Sequence, residues 1–203
     1  MASSCRRSVT MSLKISLAME DHTNDQYIAV PVIRAILTDL GKPKALIKPV
    51  TNPRITGIES LKVQASDLLD RYGAISDLVL FVVDADGEDG SPGRGNRVAS
   101  MRDRINGSPR SEQGLVVVAQ QELEVWALWG ARSELNARWI DVRDERDPKE
   151  RFFEPLITDA DLLVPGQGRA RLIGQSLSSG LRSLMSGCPE IGQLREDLRA
   201  KLG

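Results

Sequence analysis

Apolar residues in this chain follow two periods. Four short stretches are nearly continuous apolar runs: residues 13–19 (LKISLAM), 45–50, 78–83 and 114–119 (GLVVVA). Runs this short, several rich in β-branched residues, read as buried strands. Between them the period lengthens to that of a helix. Tyr27, Ile28, Val32, Ile33, Ile36, Leu37 and Leu40 form one stripe, with Thr23 or Asn24 as its cap, Pro31 within it and Gly41 closing it. Residues 57–71 place Ile58, Leu61, Ala65, Leu68 and Leu69 on one side and end at Tyr72-Gly73. Residues 98–105 predict a helix that stops at Asn106-Gly107, and residues 122–129 predict another. The Gly-, Ser- and Arg-rich stretch 87–96 reads as a loop. Strands alternating with helices predict an α/β fold: a mainly parallel four-stranded sheet, Rossmann-like, flanked by helices.

The pattern changes after residue 132. No convincing strand follows. Arg143 to Arg151 (RDERDPKER) is a charge run, and Pro148 suits the first turn of a helix reaching residue 157. Residues 168–186 and 190–202 predict amphipathic helices. The expected organisation is a tail over residues 1–12, an α/β domain over 13–132, and a helical extension over 133–203 packed on the same core.

The chain has 203 residues, 41% hydrophobic and 27% charged, enough for one core. Its formal net charge of −1 gives no global basic field to attract nucleic acid, which leaves only local patches for that role. Cys5 and Cys188 lie far apart and suggest neither a disulfide framework nor a zinc site, so a reducing cytoplasm is expected. No apolar run approaches the length of a membrane span. Residues 1–12 carry two arginines and no following apolar segment, unlike a signal peptide. A homo-oligomer is compatible with all of this.

Acidic residues fall just after three of the four strands. Glu20-Asp21 follow the first, Asp84-Ala85-Asp86 the third, and Glu122 and Glu124 the fourth. In a parallel sheet these ends share one edge, the edge where open α/β sheets bind ligands. The strand period puts Asp84 and Asp86 on one side. Carboxylates gathered there repel one another and are costly to desolvate unless a cation lies between them, which points to Mg²⁺ or Mn²⁺. The bland alternatives are a turn after the third strand and favourable helix N-terminal acids at Glu20, Glu122 and Glu124. Residues two apart on a helix do not face together. Glu122, nearer the strand end, is therefore preferred to Glu124. His22 is the only histidine and sits beside Glu20, either as a substrate contact or as a plain loop residue. Arg94 and Arg97 follow the DAD segment and are candidate phosphate contacts. Trp126, Trp129 and Trp139 read as core or interface.

The glutamate of AMEDHTND, the DAD after the third strand and the segment QQELEVWALW together resemble the Toprim family, in particular small stand-alone Toprim-fold proteins similar to OLD-type and RloB-like nucleases. That resemblance spans most of residues 13–200 and implies a Toprim fold. It implies Glu20, Asp84 and Asp86 as metal ligands, with Glu122 or Glu124 completing a two-metal site. The family places a glycine after its glutamate and an acid four positions beyond it. Here Asp21 replaces the glycine, Asn24 holds the fourth position, and Asp25 comes one residue later.

The expectation is a Mg²⁺- or Mn²⁺-dependent nuclease acting on nucleic acid. The resemblance further implies a role in bacterial anti-phage defence beside an ABC- or SMC-type ATPase. The sequence has no GxxxxGK[ST] loop, so that ATPase would be a separate partner. Against this stand a non-catalytic metal-binding module that docks on such an ATPase, and a phosphotransferase with Asp84 as nucleophile. The last is disfavoured because its DxD usually follows the first strand. Tyr27 and Tyr72 lie in helical contexts, which disfavours a topoisomerase.

Overall fold

A computed structural model describes residues 12–85 and 90–203, with residues 90–95 described by their backbone alone. Strand β1 (Lys14–Met19) leads into helix α1 (Gln26–Asp39), then β2 (Leu46–Pro49), α2 (Gly57–Gly73), β3 (Leu78–Asp84), α3 (Gly90–Asn106) and β4 (Gly114–Ala119). The short helix α4 (Glu124–Leu128) follows β4 at once. The rest is helical: α5 (Trp139–Asp144), α6 (Asp159–Leu162), α7 (Arg169–Ser178), α8 (Leu181–Gly187) and α9 (Pro189–Leu202).

The four strands form one all-parallel sheet in the order β2-β1-β3-β4. Alternation along the strands divides the core in two. Leu17, Leu80, Val82 and Val117 face α1, α4 and the C-terminal helices, while Ala18, Phe81, Val83 and Val118 face α2 and α3. Leu172, Ile173, Leu184, Ile191, Leu194 and Leu198 belong to the first of these clusters, so the chain beyond residue 132 completes the α/β core. The order reverses between β1 and β3, and such a switch point opens a crevice at the carboxyl ends of the two strands. Among the described residues no helix is long and apolar enough to cross a membrane.

Three local expectations need correction. Helix α3 begins at Gly90, well inside the stretch read as a loop. Pro92 falls in its first turn, where a missing N–H costs nothing, and packing of α3 on α2 and β4 outweighs the poor helix propensity of its glycines. The single helix expected over 168–186 is two. Gly180, at φ +90°, leaves the helical region and separates α7 from α8. Around Pro148 the chain makes one wide π-type turn (Lys149–Phe153) and a 3₁₀ turn (Glu154–Leu156) instead of a continuous helix.

Candidate functional site

The β1–α1 loop folds onto Asp21. Its Oδ1 accepts the Thr23 N–H at 2.9 Å and its Oδ2 accepts the Asn24 amide at 2.9 Å. Neither Thr23 nor Asn24 caps α1, contrary to expectation, because both are engaged by Asp21. Asp25 occupies the cap position, yet its side chain turns back, with Oδ2 accepting the Asp21 N–H at 3.0 Å. The loop thus closes on itself and leaves Asp25 buried.

Glu20 spans the switch point. Its Oε1 accepts the Asp84 N–H at 3.1 Å, and its carbonyl accepts the Gly57 N–H that opens α2 at 3.3 Å. Asp84 ends β3 and keeps the parity of Leu80 and Val82, toward the α1 and α4 side. Its Oδ1 accepts the Leu123 N–H at 2.8 Å, which ties β3 to the segment after β4.

That segment carries the two glutamates. Glu122 precedes α4, and its Oε2 accepts the Lys149 N–H at 2.9 Å. Glu124 opens α4, is buried, and forms an ion pair with the equally buried Arg169 at the start of α7. Gln121, between β4 and Glu122, adopts the left-handed φ of +60°, and its buried Oε1 has no hydrogen-bond partner among the described residues. Strain of this kind gathers where surrounding structure over-determines the backbone.

The carboxyls sense one another. Burial pushes Asp25 up to about 7; the Asp21 N–H opposes this, the Glu124 and Asp21 charges add to it, and Arg169 moderates it. Burial also raises Glu122 to about 7, helped by the charge of Glu124. Asp84 lies well above the usual carboxylate range, first from burial and then from the charges of Asp25, Glu124, Glu20 and Glu122. Asp25, five residues after Glu20, therefore stands within electrostatic reach of Asp84.

Of the sequence candidates, Glu20, Asp25, Asp84, Glu122 and Glu124 meet at this edge. Asp86 lies outside the described residues, as does the Arg94 side chain. His22 lines a neighbouring cleft with Glu20, Asp21 and the exposed Arg54. Arg97 sits on α3 and is only 6% exposed, so it does not present a solvent-facing cation. Sequence reasoning missed Arg169, Lys149 and Gln121. Arg169 had one local signal, the Gly166-Gln167-Gly168 turn before it, in which all three residues have positive φ.

The oxygen donors at this edge suit a hard divalent cation in kind. In position they are engaged with backbone N–H groups and Arg169, and among the described residues no group of three or more carboxylate, histidine or cysteine side chains is arranged to hold a metal ion. No family model, curated protein or solved structure matches the chain.

Proposed function

We propose that the chain is a Toprim-like nuclease that hydrolyses phosphodiester bonds with Mg²⁺ or Mn²⁺ at the carboxyl edge of the sheet. Glu20, Asp25, Asp84, Asp86 and Glu122 are the residues that would hold the cation. The supporting observation is the convergence of carboxylates from three strand ends and the α1 cap, where burial first and the neighbouring carboxylate charges second raise Asp84 well above its ordinary range. A cluster that favours protonation in the absence of a cation gains most from acquiring one. Such a cation, when bound, polarises a phosphate oxygen and lowers the pKa of an attacking water. The chain supplies orientation: the Asp84 N–H fixes Glu20, the Leu123 N–H fixes Asp84, and the Lys149 N–H fixes Glu122.

In this reading the protein works beside a separate ABC- or SMC-type ATPase in anti-phage defence, as the Toprim resemblance implies. The pairing of Glu124 with Arg169 favours a second reading, since it commits one carboxylate to a guanidinium and reduces the set left for a second ion. That reading is a one-metal module without turnover that docks on the ATPase.

Nicking of supercoiled plasmid and of RNA in Mn²⁺, combined with calorimetric counting of bound Mn²⁺, tests both. The nuclease reading expects two ions and cleavage that falls at least about a hundredfold in the Asp84→Asn, Asp86→Asn variant. One ion without cleavage selects the module. Unchanged Mn²⁺ affinity and cleavage in that variant would remove the metal site from this edge altogether.

A further inference from the structure

A second cleft shares Asn24 with the one lined by His22 and Arg54. It has a volume of about 380 Å³ and is lined by Lys149, Arg169, Asn24 and Glu154 together with Phe153, Ile157 and Leu162. Two of its walls belong to the acidic edge: the Lys149 N–H is held by Glu122, and Arg169 is paired with Glu124.

The polar lining has unspent donors. The Arg169 guanidinium lies 5.3 Å from the Phe153 ring centroid, and its buried Nε has no hydrogen-bond partner among the described residues. A buried arginine N–H without an acceptor is costly, so an incoming anion has something to satisfy. The Lys149 ammonium comes no closer than 4.0 Å to the Glu150 carboxylate, the outer limit of an ion pair. The lining is also apolar at Phe153, Ile157 and Leu162, and Leu162 is followed by two more exposed aliphatic residues, with Leu162, Leu163 and Val164 at 57%, 86% and 52% exposure. Three consecutive exposed aliphatic residues, the first of them lining the cleft, mark a surface that an apolar ligand face can cover. The turn around these residues is firmly built. Thr158 and Asp161 form a reciprocal cap at α6, Arg171 pairs with Asp161, and any side chain at Gly166 would strike the Tyr27 ring 2.5 Å away.

Cationic and apolar side chains lining one cleft, with room for a few rings, describe a nucleotide pocket. We infer that this cleft binds one nucleotide of the substrate, its phosphate toward Lys149 and Arg169 and its base against Ile157 and Leu162. The inference rests on the nuclease reading for its place in the reaction. It deepens that reading by putting nucleic-acid recognition on the DPKERFF and GQGR segments rather than on Arg94 and Arg97. Glu154 on the same rim disfavours a longer run of phosphates, which limits the pocket to a single nucleotide.

The test is calorimetric titration of the full chain with dTMP, UMP and inorganic phosphate in EDTA, without divalent cation. The native chain is expected to bind a nucleoside monophosphate at least about tenfold more tightly than phosphate. Lys149→Gln should weaken both by about tenfold, and Leu162→Asp should weaken the nucleotides alone. Both positions are accessible enough to substitute without loss of fold, and Arg54→Gln in the His22 cleft should change nothing. Equal affinity for phosphate and nucleotide, or indifference to Lys149→Gln and Leu162→Asp, would overturn the pocket. Because no metal or turnover is involved, nucleotide binding with no nuclease activity leaves the pocket standing and removes only the reaction. Cleavage without such binding does the reverse.

Discussion

A guanidinium buried beside carboxylates changes the energy of those it reaches. Arg169 pairs with Glu124 where neither has much access to water, and it also moderates the repulsion felt by Asp25. Removing one member of a buried pair leaves an uncompensated charge, at a cost of about 3–5 kcal/mol, whereas replacing both by apolar residues is often neutral. Arg169→Met should therefore destabilise the chain by about that amount in urea unfolding, and adding Glu124→Leu should recover most of the loss. A loss below about 1 kcal/mol for Arg169→Met would show that the pair is open to solvent. Gln121 offers the opposite case. Its left-handed backbone costs a non-glycine residue roughly 1–2 kcal/mol, and its buried carbonyl oxygen lacks a partner. Gln121→Gly should leave the melting temperature unchanged or raise it, while Gln121→Val should lower it by several degrees. If glycine is the worse of the two, the side chain is satisfied in solution.

Helix α7 delivers Arg169, so its seat on the turn after α4 decides whether the pair can form. The close approach is at Gly130. Its N–H donates to the Ser176 Oγ at 2.7 Å, that hydroxyl donates to the Ala127 carbonyl at 2.8 Å, and a Cβ at Gly130 would sit 2.4 Å from the Ser176 backbone nitrogen. Backbone cannot yield as a side chain tip can, so Gly130→Ala should cost about 1–3 kcal/mol and weaken Mn²⁺ binding as α7 is displaced. Unchanged stability together with unchanged Mn²⁺ affinity would show that the crossing is loose. This crossing also marks where the sequence stops being informative. Strand runs and amphipathic stripes are local, so β1, β3, β4, α1 and α2 were readable from period alone. Glu20, Asp84 and Glu122 were readable because strand ends of a parallel sheet must share an edge. Arg169 and Lys149 reach that edge only through the packing of a helical segment that has no period pointing to it. The start of α3 was hidden because its glycines oppose the helix that α2 and β4 impose. The position of Asp25 depended on hydrogen bonds within its loop, which composition does not encode.

For the molecule as a whole, the gathered carboxyls make stability depend on pH in a direction opposite to ordinary acid unfolding. Asp25 and Glu122 lie near 7 and Asp84 is also raised well above its ordinary range, against ordinary values of 3.8 for aspartate and 4.5 for glutamate. Between those limits the folded chain holds more protons than the unfolded chain. Stability is then full below about pH 4, falls as pH rises through 7, and levels off once all three have ionised. Asp161 acts in the other sense: Arg171 and the Thr158 N–H hold it well below its usual value, so its contribution is present above about pH 4 and is lost in acid. The cation-free chain should therefore melt highest near pH 5 and lower at pH 8, with each kcal/mol worth roughly 2–4 °C in a chain of this size. A divalent cation binds the ionised carboxylates and not the protonated ones, so it should raise the melting temperature strongly at pH 8 and little at pH 5. Melts from pH 5 to 8 in EDTA and in Mn²⁺, with Asp84→Asn alongside, measure this directly. The substitution should flatten the EDTA slope and remove most of the Mn²⁺ gain, because both come from the same buried, crowded carboxylates. A native chain whose melting temperature rises steadily from pH 5 to 8 in EDTA would mean that the carboxyls stay apart and solvated, and the case for a cation at the sheet edge would fall with them.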